Sequence, residues 1–472
     1  MLSFVFISCQ TAPNDKQEAS RKPNIIYVLA DDMGYGDLGC YGQSAFQTPH
    51  LDALAADGLR FTRHYAGSAV CAPSRSVLMT GLHTGHTPVR GNGRGKTVLP
   101  DGTVTVGEKL QEAGYVTAMI GKWGLGDAGT SGVPNRQGFD TFVGYLDHIR
   151  AHNHFPAFLW YNGDTLHLDN EVDITRHGYA RGVGSVSTNK VQYAQDVFDQ
   201  KTLEFIEAHQ DTSFFIYLAS IIPHANNEAE DRGMEVPDFG RYETRNWPEP
   251  QKGLAAMISR LDNTVRLLRQ KLNALSLAEN TIILFSSDNG PHQEGGNDPY
   301  YFDSNGSLKG IKRDLYEGGI RVPLIAYWPG TIYPGQVTDH ISGFQDVMPT
   351  VCELAGVPAP PETDGISLVP LFTGQAPPEH DYLYWEFPEK GGLQAIRQGD
   401  WKAVRKDVST KDSPPVELYN VATDPKETVN LANENPERIR EMEALFKQAH
   451  IPSQRFPLLK KELPPKATTT SR

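Results

Sequence analysis

Along this 472-residue chain, groups that hold or attack charge fall directly after apolar runs. Asp31-Asp32 follow residues 24–30, Lys122 follows 115–120, Pro223-His224 follow 213–219, and Asp288-Asn289-Gly290 follow 281–287. Two adjacent carboxylates repel unless a cation sits between them, and Asp288 with Asn289 offers further oxygen. Oxygen donors favour Ca²⁺ or Mg²⁺. A zinc site recruits His or Cys, and neither adjoins either pair. A single Asp-Asp or Asp-Asn-Gly reads most simply as a helix cap or a turn. Two such pairs at two strand exits, accompanied by cations, point to a metal centre instead.

The segment Val70-Cys71-Ala72-Pro73-Ser74-Arg75-Ser76-Val77-Leu78-Met79-Thr80-Gly81 is the sharpest motif. Pro73 suits the first turn of a helix and Gly81 its end, so Cys71 is expected at the helix N-terminus, where the dipole favours negative charge. On that basis alone Cys71 reads either as a thiolate nucleophile or as a buried capping residue.

These groups need elements to carry them. Five apolar runs, 24–30, 115–120, 213–219, 281–287 and 322–328, have strand composition and alternate with helical patterns at 49–57, 74–79, 105–113, 191–209, 253–275 and 344–354. The alternation predicts an α/β fold, a mostly parallel sheet with helices on both faces. In such sheets ligands bind beyond the carboxyl ends of the strands, which is where the charged groups lie. After a Pro-rich stretch at 356–378, short strands at 382–387, 395–397, 401–405 and 417–420 and a helix at 436–449 predict a smaller α+β subdomain with an antiparallel sheet. The expected division is a tether at 1–21, a catalytic domain at 22–375, a C-terminal subdomain at 376–464 and a disordered tail at 465–472.

With 39% hydrophobic residues the chain can bury a large core, and its net charge of −13 argues against nucleic acid as a partner. A cationic cleft can still focus field on a small anion. Four cysteines without a CxxC pair outline neither a disulfide framework nor a zinc knuckle. Phe4-Val5-Phe6-Ile7-Ser8-Cys9 looks like the end of a bacterial lipoprotein signal, although only eight residues precede Cys9 and none is basic, which points to a start upstream of Met1. A periplasmic or cell-surface location with a lipid anchor to the membrane is the expectation.

Taken in order, the motifs resemble the type I sulfatases of the alkaline phosphatase superfamily. Cys71-Ala72-Pro73-Ser74-Arg75, three variable residues and Met79-Thr80-Gly81 are similar to the signature whose cysteine is oxidised to formylglycine. The resemblance continues through Ala30-Asp31-Asp32-Met33-Gly34-Tyr35-Gly36-Asp37, Gly121-Lys122-Trp123, Pro223-His224, Asp288-Asn289-Gly290, Lys309-Gly310 and Tyr316-Glu317-Gly318-Gly319-Ile320-Arg321-Val322-Pro323. Glu417-Leu418-Tyr419-Asn420, Asp424-Pro425 and Asn430-Leu431 resemble the family's C-terminal subdomain, so the likeness covers about residues 22–445.

The resemblance implies an alkaline-phosphatase-like fold and a sulfuric ester hydrolase acting on a sulfated carbohydrate, a galactose or N-acetylgalactosamine unit by family habit. It implies Ca²⁺ held by Asp31, Asp32, Asp288 and Asn289, with formylglycine derived from Cys71 on the metal and supplied by a formylglycine-generating maturation enzyme. Arg75, Lys122, His224 and Lys309 would surround the sulfate. The loop at 145–190, with His152 and His154, and the basic loop carrying Arg94 are the expected sugar contacts. One departure stands out: many members read GKWHLG where this chain has Gly121-Lys122-Trp123-Gly124-Leu125-Gly126, so a histidine is missing at Gly124. The competing readings are a phosphate or phosphonate ester hydrolase of the same superfamily, and an inactive scaffold that binds sulfated glycans.

Overall fold

A computed structural model describes residues 21–93, 95–173 and 184–463. The proposed lipid site at Cys9, residues 1–20 of the tether, Arg94 and the expected tail at 465–472 lie outside the described residues.

The central sheet contains strands β1 (Asn24–Ala30), β2 (Leu59–Tyr65), β3 (Val116–Lys122), β4 (Thr141–Tyr145), β5 (Phe158–Tyr161), β6 (Asp164–His167), β7 (Phe214–Ala219), β8 (Thr281–Ser287), β9 (Arg321–Tyr327) and β10 (Gln336–Thr338). Their spatial order is β10-β2-β9-β8-β1-β7-β3-β4-β5-β6. The middle five, β8-β1-β7-β3-β4, are parallel. The expected strand at 322–328 is present as β9, but it runs antiparallel to β8. The connection after β8 stays on the carboxyl edge, where it carries Asp288 to Ile320, so the next strand begins at that edge and must run back.

β1 is buried along its whole length and feeds two cores by strict alternation. Ile26, Val28 and Ala30 face one core, and Ile25, Tyr27 and Leu29 the other. Fully burying a side chain such as Ile or Leu contributes about 1.5–3 kcal/mol. The first core is covered by helices α1 (Pro49–Ala56), α4 (Ala194–Ala208) and α5 (Glu249–Ala274), and the second by α2 (Cys71–Thr80), α3 (Val106–Glu112) and α6 (Val347–Ala355). On α5, Leu254, Met257, Ile258, Leu261, Val265, Leu268 and Leu272 recur at helical spacing and are all buried. Its first turn begins at Glu249, four residues before the expected start, because Pro250 is tolerated where the helix N–H groups have no intrahelical acceptor.

Toward the C-terminus, strands Leu383–Phe387, Leu393–Gln398, Trp401–Lys406 and Val416–Asn420 form an antiparallel sheet. One face packs on Tyr65, Val70, Leu315 and Ile320 of the main body, and the other receives helix α7 (Pro436–Ala449). No helix among the described residues is long and apolar enough to cross a membrane.

Candidate active site

The parallel strands aim their carboxyl ends at one edge, and hydrogen bonds draw those exits together. Asp288 N–H donates to Ala30 O at 3.1 Å, and Asp32 N–H donates to Asp288 Oδ1 at 3.0 Å. Asp31, Asp32 and Asp288 are fully buried, with carboxylate oxygens within 4.8 Å of one another. Asn289 Nδ2 donates to Asp32 Oδ1 at 2.7 Å, which leaves Asn289 Oδ1 buried with no donor. Asp31 Oδ1 is likewise buried without a hydrogen bond.

Cations surround this knot. Lys122 Nζ donates to Asp31 Oδ2 at 2.7 Å. Arg75 Nη2 donates to Asp288 Oδ2 at 2.8 Å and lies 3.5 Å from Asp31 Oδ1, while Nη1 donates to Lys122 O at 2.5 Å. Burial works against charge on every carboxylate here. Lys122 and Arg75 nevertheless hold Asp31 down at about 2, whereas for Asp288 burial and the neighbouring Asp31 win, and its carboxyl is pushed up to about 7. A carboxyl pushed up by burial and by Asp31, beside two unsatisfied oxygens, fits a divalent cation held by hard ligands.

Cys71 is the first residue of α2 and is 2% exposed. Its Sγ accepts a bond from Asn92 Nδ2 at 3.4 Å. Burial raises the thiol above its ordinary value despite Lys122 nearby. The thiolate reading is therefore disfavoured: an unmodified cysteine here is a neutral, sealed thiol.

The expected fourth cation is elsewhere. Lys309 turns to the C-terminal sheet, where Nζ donates to Tyr419 OH at 3.3 Å and Glu427 O at 3.2 Å and lies 3.9 Å from the Tyr316 ring centre. Lys312 enters the cluster in its place, donating to Asp32 Oδ2 at 2.7 Å, Glu294 Oε2 at 2.8 Å and His224 Nε2 at 3.1 Å. The turn decides between them: Gly310 adopts a φ of +86°, and Lys312 N–H donates to Pro291 O at 2.9 Å.

His224 is buried, and its Nδ1–H donates to Ala225 O at 2.6 Å, so Nε2 offers a lone pair to Lys312. Burial, then Lys312, depresses its pKa well below the usual imidazole range. His152 stacks on it at 4.6 Å and places Nδ1 3.2 Å from Glu228 Oε2, so it lies at the site. His154 does not line the cleft. It is fully buried, stacks on Tyr193, and its Nε2–H donates to His224 O at 2.9 Å, which makes it a support for the His224 loop rather than a sugar contact.

Sequence reasoning missed Lys312, His292 and Glu294. His292 stacks on His224 at 5.7 Å, and Glu294 pairs with Lys312. Their signal was present, since His292 and Glu294 directly follow the Asp288-Asn289-Gly290 exit and Lys312 shares a short run with Lys309.

Comparison with known proteins agrees with this geometry. The Sulfatase family model matches residues 23–357, and the model for the N-sulphoglucosamine sulphohydrolase C-terminal region matches 310–450. Arylsulfatase A of Homo sapiens is 33% identical over 90% of this chain and 87% of its own length. The N-acetylgalactosamine-6-O-sulfatase of Bacteroides thetaiotaomicron is 30% identical over 93% of this chain and 95% of its own. The crystal structure of Ps i-CgsB in complex with k-i-k-neocarrahexaose superposes with a TM-score of 0.74 at 27% identity, covering 91% of this chain and 93% of that one. With a buried acidic knot, its ring of cations and Cys71 at one sheet edge, and with relatives of this extent, the chain belongs to the sulfatase family and is a sulfuric ester hydrolase.

Proposed function

We propose that the protein removes sulfate from a sulfated carbohydrate, with Ca²⁺ held by Asp31, Asp32, Asp288 and Asn289 and with Cys71 converted to formylglycine. The observation that carries this reading is the pair of buried acceptors, Asp31 Oδ1 and Asn289 Oδ1, left without donors inside a three-carboxylate cluster. Buried polar atoms rarely stay unpaired, and an all-oxygen set suits a hard cation.

When present, the metal and the hydrated aldehyde supply a hydroxyl nucleophile usable near neutral pH. The chain's own residues do the rest. Arg75 fixes Asp288 and Asp31 from the second turn of α2. Lys122 and Lys312, paired here with Asp31 and Asp32, bind sulfuryl oxygens once those carboxylates are shared with the cation. His224 and Lys312 share one proton-bearing contact, so together they protonate the departing sugar oxygen. His152, stacked on His224, faces the sugar.

The relatives named above include an N-acetylgalactosamine-6-O-sulfatase and a structure solved with k-i-k-neocarrahexaose, which supports a galactose or N-acetylgalactosamine unit as substrate. The lipoprotein-like Ser8-Cys9 supports a lipid-anchored, extracytoplasmic enzyme matured by a formylglycine-generating partner. A panel of sulfated mono- and disaccharides with matched phosphate esters tests the reading. Sulfate release from a galactose-type sugar is expected, with an aldehyde replacing the thiol in the tryptic peptide that spans position 71. Faster phosphate than sulfate hydrolysis, or full activity with unmodified Cys71, would overturn it.

A further inference from the structure

Asn92 lies 21 residues beyond Cys71 in the chain, yet its side chain meets the start of α2. The segment that carries it is anchored on several sides. Thr87 Oγ1 lies 2.6 Å from Ser76 Oγ of α2. Arg90 is buried, and its Nε donates to Thr87 O at 3.0 Å while Nη1 donates to Glu386 Oε1 at 2.9 Å and Ile451 O at 2.6 Å. Gly91 lies against the C-terminal region, since a Cβ there would meet Pro388 Cγ at 3.2 Å and Phe456 Cδ1 at 3.6 Å. A buried guanidinium needs its carboxylate partner, so the Arg90–Glu386 pair fixes this turn on the C-terminal sheet and presents Asn92 to α2.

Ala72 N–H, one of the helix-start donors with no intrahelical acceptor, donates to Asn92 Oδ1 at 3.1 Å. A backbone N–H can only donate, so the amide atom facing it is the oxygen, and the orientation of the amide follows. Nδ2 is thereby turned to position 71, where it donates to Cys71 Sγ at 3.4 Å. A thiol sulfur is a weak acceptor, and burial holds this one neutral. An oriented amide donor thus faces a poor partner, and an oxygen at the same place would be a better one. When position 71 carries formylglycine, Sγ stands in for an oxygen on the same carbon. Water adds to the aldehyde carbon through its oxygen, and one of its protons passes to the former carbonyl oxygen, so the hydrate offers two oxygens where the aldehyde offers one. The charged groups around position 71 are Lys122, Asp31, Asp288 and Lys312, and Asn92 is the neutral donor in contact with it.

We propose that Asn92, through Nδ2, is a further catalytic residue, the donor that holds one oxygen of the hydrated formylglycine at position 71 while the other faces the acidic knot. This rests on the reading of the site as a formylglycine-bearing sulfatase centre. The bond favours the hydrate over the aldehyde, because only the hydrate has a second oxygen to accept it, and it restrains the side chain to one orientation. Asn92 Oδ1 has a separate task, the capping of α2 through Ala72 N–H. One amide therefore sets both the helix that carries the nucleophile and the nucleophile itself.

Two variants separate the two atoms: Asn92→Asp keeps an acceptor for Ala72 N–H and removes the donor, whereas Asn92→Ala removes both. In calcium-loaded, aldehyde-bearing enzyme, each should lower kcat by ~10-fold, the effect of about one hydrogen bond. Hydroxylamine gives a readout apart from turnover, because it captures the aldehyde and not the hydrate. Oxime at position 71, followed by mass spectrometry, should form about threefold faster or more in both variants. Calorimetry with inorganic sulfate should find Asn92→Ala binding like the parent, and melting curves should show that only Asn92→Ala loses stability, through its lost cap. A parent-like kcat in Asn92→Asp, slowing in Asn92→Asp alone, lost sulfate affinity in Asn92→Ala, or oxime formation no faster than in the parent overturns the donor role and leaves the formylglycine reading intact. Unmodified cysteine at position 71 in fully active parent enzyme overturns both.

Discussion

Lys312 places an ammonium group on three acceptors, and its side chain is only 3% exposed. A charge that deep is tolerable only when paired, and Asp32 and Glu294 keep it protonated against the pull of burial. Lys309, three residues earlier, spends its charge on the rings of Tyr316 and Tyr419. The two lysines therefore make opposite predictions. Lys312→Ala should reduce kcat/KM by ~10²-fold or more, as expected for loss of a charge aimed at the reacting group. Lys309→Ala should keep turnover near that of the parent and lower stability by about 0.5–2 kcal/mol, the range for a cation over an aromatic face. Steady-state kinetics beside urea melts measures both, and the reverse pattern would return Lys309 to the sulfate.

At the scale of elements, the C-terminal sheet and α7 are joined by His450, the residue just beyond the helix. Its Nδ1 lies 2.7 Å from Glu386 Oε2 in the first strand of that sheet, and its Nε2 lies 2.8 Å from Glu462 Oε1. Burial disfavours the imidazolium, but the two carboxylates outweigh burial and raise the pKa above its ordinary 6.5. A raised histidine pKa contributes stability that is fully present below 6.5 and is lost as pH climbs through the folded value. The melting temperature should therefore fall by this contribution as pH rises above about 6.5. His450→Gln should flatten that part of the profile, which differential scanning calorimetry at a series of pH values would detect. An unchanged slope in the variant would mean that the clamp holds no proton.

For the whole molecule, the acidic knot is a structural problem as well as a chemical one. Asp31, Asp32 and Asp288 come from two adjacent strands of a sheet buried on both faces, which holds their carboxylate oxygens within 4.8 Å of one another. Calcium should therefore stabilise the fold by mass action, by about 2.7 kcal/mol at a free concentration 100-fold over its dissociation constant. Chelation is expected to abolish turnover and lower the melting temperature together, and calcium to restore both. Retention of full activity after chelation, or rescue by zinc alone, would contradict the oxygen-ligand assignment.

The sequence by itself determined the five central apolar runs and the charges at their carboxyl ends, because a fully buried strand must be apolar throughout and a ligand-binding edge must not be. It determined α2 as well, since Pro73 and Gly81 bracket one helix with Cys71 at its start. Only the tertiary structure decided that β9 runs antiparallel, because periodicity reports burial and carries no direction. The same holds for Lys312 over Lys309 and for the withdrawal of His154 into the core. A lysine's charge is visible in sequence, but a left-handed Gly310 and one hydrogen bond to Pro291 O decide which lysine meets Asp32. Likewise, the space over Gly124 is an absence along the chain, and His148 fills it only because β4 pairs beside β3.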